Sequence, residues 1–441
     1  SAPFVAGNHV IQGVMGIMQP RGGFILALDL ETGQESWRFN TIARPDAPGG
    51  NSWNGLELDK RSGGSVWHQG TYDPELNLIY YGAAPTYDTG PLLGSAIRSD
   101  VNSDALYTNC TLAINPDNGK LVWHYQHMPN DQWDLDWVFE RQIATINFNG
   151  ERRKIVMNVG KIGILEALDA ASGEYLFSLD AGVQNVITSI DQETGKKTYN
   201  PEVTPNPQEP CTVCPSAFGA RSWPTTSYSP QTKFVYAPLT NWCMEMGPEG
   251  LRILTSGVGL LPAAPPNFDG KNIGRLQAYD VQNRELSWSY DQPAPLSTSV
   301  ISTAGGLVFA ADLSPTIKAH DESTGEVLWQ STLDDLPSSS IITYAANDRQ
   351  FVSVVVGQKN RHVSDLKNAY DAVLAQSGKS TESSPNGGAA IWTFALNKVV
   401  QEWTLQDLAA DLGGLDQGRS FVNGKKVFAS ASCAACHGGD D

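Results

Sequence analysis

Two cysteines three positions apart, with a histidine directly after the second, mark the strongest chemical signal in the chain: Cys433-Ala-Ala-Cys436-His437. Two such thiols can form thioethers to the vinyl groups of a haem, and the adjacent imidazole can ligate its iron. A redox dithiol or half of a zinc site would use similar spacing. The dithiol belongs at a strand-to-helix junction of an α/β unit, which the flanking sequence does not form, and zinc needs further Cys or His, none of which follows His437. Covalent haem c is the reading these residues favour. Far upstream, Asn-Asp-Gln-Trp-Asp-Leu-Asp-Trp sets Asp134 and Asp136 two positions apart between Trp133 and Trp137. In an extended segment both carboxylates point the same way; a solvated acidic loop is the plainer alternative.

Such groups need a frame, and an internal repeat provides one. Ala, any residue, Asp or Asn, a turn, then a large aromatic eight positions after the acid recurs along the chain. The copies place Asp29 with Trp37, Asn115 with Trp123, Asp169 with Phe177, Asp280 with Trp288 and Asp321 with Trp329, and a shortened copy joins Asn397 to Trp403. Each reads as a hairpin whose apolar strands flank a turn, with Gly33, Gly119, Gly173 and Gly325 supplying positive φ. The aromatics dock one blade on another. The fold class is therefore all-β: a β-propeller whose copies account for about six blades. Uneven spacing predicts long insertions, the largest from Asn40 to Lys60 and from Asn185 to Pro224, where a rigid ring would carry its site.

Composition agrees. The 42 Gly, 26 Pro and 12 Trp among 441 residues favour short strands and tight turns over long helices. Against 30 basic residues stand 47 acidic ones, a formal net charge of −17, which excludes a nucleic-acid partner and could steer a basic electron carrier. No apolar run reaches the roughly 18 residues of a spanning helix. The start, Ser-Ala-Pro-Phe-Val-Ala-Gly-Asn-His-Val, has neither a signal peptide nor an initiating Met, and a fragment is the expectation.

The tryptophan-docking repeat is similar to that of the quinoprotein alcohol dehydrogenases, which are eight-bladed β-propellers. The likeness runs from about Val10 to Leu396 and includes GGSVWHQGTYDPELNLIYYG, PNDQWDLDW, RSWPTTSYSPQTKFVYAPL and STAGGLVFAAD. It implies about six to seven blades in residues 1–405, with the first one or two missing, a linker over 406–420, and the start of an α-helical cytochrome c domain over 421–441. It also implies pyrroloquinoline quinone (PQQ) as cofactor. Trp67 matches the aromatic floor beneath the quinone, Ser65 a hydroxyl that bonds it, and Ser222 with Trp223 a polar residue and its aromatic neighbour at the quinone's edge. Asp134 matches the catalytic base that takes the alcohol proton, and Lys161 the cation that polarises the quinone C5 carbonyl. The Asp134-x-Asp136 spacing resembles the lanthanide-dependent branch, so calcium or a lanthanide is expected on these two carboxylates.

Three positions depart from that pattern. Met18 stands where a metal-ligating Glu is expected, Pro85 where an Asn is, and Ser297 where a Trp near the substrate is. Neither Met nor Pro offers a side-chain oxygen; Asp88 is a nearby candidate to make up the number. The three together suggest an altered substrate pocket. Of the remaining cysteines, Cys211 or Cys214 is expected to pair with Cys243, leaving Cys110, whose Asn109-Cys110-Thr111 context is an incidental acceptor motif. The implied activity is PQQ-dependent oxidation of a small alcohol in the periplasm, electrons leaving through the haem to a periplasmic cytochrome or other acceptor. A non-catalytic scaffold resembling the outer-membrane assembly lipoproteins with this repeat is the alternative. The haem motif and the retained Asp-Gln-Trp-Asp-Leu-Asp segment weigh against it.

Overall fold

Short apolar strands joined by Asp-led turns stack into antiparallel four-stranded sheets. In the computed structural model, residues 1–395 are described apart from 17–18, 88, 204–209, 248–261, 267, 269, 348, 358–360 and 381–388. Met18, Asp88, the Asn397/Trp403 copy, the linker and Cys433, Cys436 and His437 lie outside the described residues.

Five sheets have four strands in simple meander order. The first blade comprises Phe4–Ala6, His9–Val14, Phe24–Asp29 and Glu35–Asn40, and the second Thr71–Asp73, Leu78–Gly82, Cys110–Ile114 and Leu121–Gln126. Gln142–Phe148, Glu151–Val159, Ile164–Asp169 and Tyr175–Asp180 make the third. The fourth holds Ser227–Ser229, Phe234–Thr240, Gly274–Asp280 and Glu285–Gln292, and the fifth Ile301–Ser302, Leu307–Asp312, Thr316–Asp321 and Val327–Thr332. A sixth, with three strands among the described residues, contains Ile342–Ala346, Arg349–Val356 and Ala390–Ala395. These are the blades of a β-propeller, six among the described residues where about six to seven were expected.

The repeat works as the spacing predicts. Asp29 Oδ1 accepts the N–H groups of Glu31 and Thr32 and the Thr32 hydroxyl, closing the turn, and Asp169 and Asp321 do the same in their blades. Three of the tryptophans then dock on the turn of the following blade. Trp37 Nε1 donates to Pro116 O at 2.8 Å, Trp123 Nε1 to Ala170 O at 3.2 Å and Trp288 Nε1 to Glu322 O at 3.0 Å. The glycine of the receiving turn is required twice over. At Gly119 φ is +70°, and a Cβ there would stand 2.6 Å from the Trp37 ring. The fourth blade departs from the rule consistently: it receives Phe177 instead of Trp, and its turn carries Arg284 in place of glycine. Arg284 keeps the left-handed conformation, φ +62°, and lays its guanidinium over Phe148, which stacks on Phe177.

Both expected insertions are present, and three more, within the second, fourth and sixth blades, were not anticipated. Residues 181–226 carry the hairpin Ile187–Ile190/Lys197–Tyr199 and the strand Cys211–Val213. Residues 83–109 interrupt the second blade, and 241–273 the fourth. Cys211–Val213, Cys243–Met246 and Pro262–Ala263 form a small sheet. Cys214 and Cys243 are disulfide-bonded, one of the two pairings expected, while Cys110 and Cys211 are free thiols. A helix, α1 (Arg361–Gln376), lies in the sixth blade's insertion. It buries Val363, Leu366, Tyr370, Val373 and Leu374 against Trp242, Leu313 and Leu336. Among the described residues no helix is long and apolar enough to cross a membrane.

Candidate active site

Four loop segments meet at one point: 63–67 ahead of the second blade, 127–141 between the second and third, 160–163 inside the third, and 219–223 ahead of the fourth. Lys161 is the hub. Its Nζ donates to Asp134 Oδ2 at 2.9 Å and to Asp136 Oδ1 at 3.0 Å, and all three side chains are almost fully buried. Its backbone is held on both sides, Lys161 N donating to Asp136 O at 2.8 Å and Lys161 O accepting from Ala220 N at 2.7 Å. Glycines make the room. A Cβ on Gly219 would strike Lys161 Cγ at 2.1 Å, and one on Gly160 would meet the Trp137 ring at 2.6 Å.

Trp67 closes the acid pair from another side. Its Nε1 donates to Asp136 Oδ2 at 3.2 Å, and the Tyr87 hydroxyl donates to the same oxygen at 3.4 Å. Phe139 meets Trp67 edge-on at 5.3 Å, and Trp223 lies tilted against it at 4.3 Å. Trp223 is 48% exposed and meets His362 edge-on at 6.0 Å. A cavity of about 860 Å³ opens beside Trp67 and Trp223 and is lined further by His68, Glu140, Thr226 and Ser299. Under its wall Arg221 pairs with Glu140, donates to Val159 O at 2.7 Å, and stacks on Phe139.

The electrostatics follow from burial of three charges. Burial, helped by Asp136, raises the Asp134 carboxyl well above the usual carboxylate range despite Lys161. Burial also works against the Lys161 ammonium, but Asp134 and Asp136 outweigh it and hold its pKa above the ordinary value, so the lysine stays charged. Burial would raise Glu140, yet Arg221 outweighs it and keeps that carboxyl low.

Of the residues singled out from the sequence, Trp67, Asp134, Asp136, Lys161 and Trp223 come together here. Ser65 is fully buried, but its Oγ accepts the Gly16 N–H at 2.9 Å, a structural bond. Ser222 is half-buried beside Arg221. Ser297 is buried with its hydroxyl donated to Pro337 O at 2.8 Å. Pro85 is buried and its carbonyl takes the Gly64 N–H. Tyr87, two residues from Pro85, escaped the sequence reading, as did Arg221 and Glu140. An aromatic beside an expected ligand position was the available signal for Tyr87; the ion pair joins positions 81 apart and had none.

Asp134 and Asp136 converge on a single nitrogen, and Asp134 Oδ1 is buried with no hydrogen-bond partner. That fits a cation site. Two carboxylates supply at most four oxygens, fewer than the six to eight of calcium, and no cluster of three acidic, His or Cys side chains exists among the described residues. The remaining oxygens of such a shell would be backbone or amide carbonyls, water or ligand oxygens.

A propeller of docked tryptophans with a buried tryptophan–carboxylate–lysine cluster where its loops meet defines a class, the quinoprotein propellers. The family model described as PQQ, glucose/ethanol/alcohol dehydrogenase, beta-propeller domain, matches residues 1–183 and 272–352, and the chain belongs to that family. It is 31% identical over 372 residues to the quinohemoprotein alcohol dehydrogenase ADH IIB of Pseudomonas putida, covering 81% of this chain and 53% of that one. It is 28% identical to the quinohemoprotein alcohol dehydrogenase of Comamonas testosteroni, covering 99% of this chain and 62% of the relative. The chain thus spans about half to two-thirds of these relatives' length. The crystal structure of the Comamonas enzyme superposes with a TM-score of 0.72 at 26% identity, over 99% of this chain and 65% of that one. A europium-containing methanol dehydrogenase shares the fold, with a TM-score of 0.74 at 23% identity over 89% of this chain and 73% of that one.

Proposed function

We propose that the whole protein oxidises an alcohol with PQQ and passes the electrons through a covalent haem c to a periplasmic acceptor. The observation that carries this reading is the convergence of Asp134 and Asp136 on Lys161 Nζ, at 2.9 and 3.0 Å, with Trp67 Nε1 on the same acid pair. When bound, the quinone supplies a two-electron acceptor for the hydride of the alcohol carbon. Trp67 offers it an aromatic face, with Trp223 and Ser222 at its edge and the Ser65 hydroxyl, on the same loop as Trp67, to bond it. Asp134 Oδ1, the buried oxygen without a partner, receives the substrate hydroxyl proton. Lys161, kept charged by both carboxylates, places a fixed cation where negative charge develops. Calcium or a lanthanide would be held by Asp134 and Asp136 and would add Lewis acidity at the same place. Cys433 and Cys436 carry the haem through thioethers and His437 ligates its iron.

The test is cofactor content. The full-length protein, produced in a periplasm, is loaded with PQQ together with calcium or lanthanum, freed of excess, and assayed for bound quinone and haem. About one quinone per chain and a pyridine haemochrome that disappears in Cys433→Ser support the reading. A folded, haem-loaded protein that retains no quinone with either metal overturns it in favour of a haem-bearing scaffold.

A further inference from the structure

Asp134 and Asp136 stand on a stretch outside the strand ladders, so no sheet fixes their direction. Two side chains do so instead. Asp131 Oδ1 accepts the Trp133 N–H at 2.8 Å, and Asp131 Oδ2 accepts the Leu135 N–H at 2.7 Å. Asn109 Oδ1 accepts the Trp137 N–H at 3.1 Å, while Asn109 Nδ2 donates to Asp131 Oδ2 at 2.9 Å. Every second amide from 133 to 137 is therefore taken by one of two buried side chains that also bind each other. Between the pinned amides, Asp134 is carried at φ +61°, a left-handed conformation uncommon for non-glycine residues but open to aspartate.

The clamp is itself anchored. Asn109 O accepts the His127 N–H at 2.9 Å, and the His127 ring lies parallel to Trp137 at 4.4 Å. We propose that Asp131 and Asn109 are positioning residues, which set Asp134 and Asp136 toward Lys161 before any ligand arrives and touch neither cofactor nor substrate. The inference rests on the reading of Asp134 as the proton acceptor. A carboxylate is needed at 131 because its two oxygens accept three N–H bonds; an amide would set a donor against Leu135 N–H or Asn109 Nδ2.

The experiment uses the full-length protein and four variants: Asp131→Asn, Asn109→Ser, the exchange pair Asn109→Asp with Asp131→Asn, and Ser353→Ala. The last removes a hydroxyl pair in the sixth blade that joins buried Ser353 Oγ to exposed Thr393 Oγ1 at 2.8 Å, as a control. Amide exchange over 131–137 reads the clamp without any cofactor. In Asp131→Asn it should quicken by about tenfold or more. In the loaded enzyme kcat should fall on the order of tenfold to a hundredfold with KM for the alcohol nearly unchanged. The exchange pair should recover part of both, and Ser353→Ala should change neither. Asn109→Ser, which strips only two of the bonds, carries the same criteria if Asp131→Asn does not fold. Unchanged loop protection overturns the clamp outright. A loosened loop with wild-type kcat overturns its role in positioning. A wild-type protein without quinone overturns the function proposed above, while the exchange data still decide whether the clamp holds the loop.

Discussion

Lys161 Nζ lies 2.9 Å from Asp134 Oδ2, across 27 positions of sequence and between two loops that no strand pairing connects. A second carboxylate, Asp136, stands at 3.0 Å from the same nitrogen. Removing one partner of a buried ion group leaves the others uncompensated, which costs about 3–5 kcal/mol. Lys161→Met should therefore lower the free energy of unfolding in urea by about that amount. A loss below roughly 1 kcal/mol would mean the three charges are solvated in solution.

The docking turns predict a contrast between glycines. Gly150 has φ +89° and open space where a Cβ would go, so Gly150→Ala should cost only backbone strain, about 1–2 kcal/mol. Gly119→Ala carries the same strain and drives a methyl into the Trp37 ring, adding about 1–3 kcal/mol. Equal urea midpoints for the two variants would contradict the docking account.

Acid should unfold the protein partly through His127. Its Nε2 faces Thr111 Oγ1 at 2.6 Å, and that hydroxyl already accepts Arg141 Nε at 3.1 Å and Nη2 at 2.9 Å. The single Thr111 proton must point at Nε2, which fixes the neutral imidazole with its proton on Nδ1 toward Glu166. Lys197, on the far side of Glu166, and Arg141 add positive charge nearby. Burial pushes the His127 pKa down to about 4, Glu166 opposing. The unfolded chain, with the ordinary value near 6.5, binds a proton first, so stability falls as pH drops from about 6.5 to about 4, by on the order of 3 kcal/mol. His127→Gln can keep both hydrogen bonds without titrating, and its urea midpoint should vary less over that interval. Identical pH slopes would remove His127 from the account.

The Cys214–Cys243 bond ties the 181–226 insertion to the 241–273 insertion, and its sequence separation of 29 spans the fourth-blade strands Ser227–Ser229 and Phe234–Thr240. Replacing both cysteines by Ala should cost about 3 kcal/mol on the chain-entropy view. Thermal melts with and without reductant give the number; no shift would show that the bond does not restrict the unfolded chain.

The propeller was legible because Trp docking demands a fixed interval between an Asp-led turn and its aromatic, and Asp29/Trp37 or Asp321/Trp329 keep it at full length. The hairpin led by Asp191 obeys the same turn chemistry, its Oδ1 accepting Glu193 N–H, Thr194 N–H and the Thr194 hydroxyl, yet it belongs to no blade and was passed over. Helix α1 had its signal too: Val363, Leu366, Tyr370, Val373 and Leu374 follow helical spacing, but the strand repeat dominated the reading of that region. Trp67, Asp134 and Lys161 were found through family strings. Asp131 and Asn109, which clamp the acid pair, sit 22 positions apart, and no periodicity links them.

Docking also has a direction. Trp37, Trp123 and Trp288 each hand their indole N–H forward to a carbonyl in the blade that comes later in the chain. During synthesis a finished blade therefore emerges with its host still inside the ribosome, and one large aromatic stays wet until the successor's turn is made. The wait differs along the chain. Trp37 needs Pro116, some 79 residues downstream, whereas Trp288 needs Glu322, only 34 away. The long insertions that build the site thus also set how long a half-made ring shows an unburied aromatic to its surroundings, and among these three indoles Trp37, at the junction of the first two blades, waits longest.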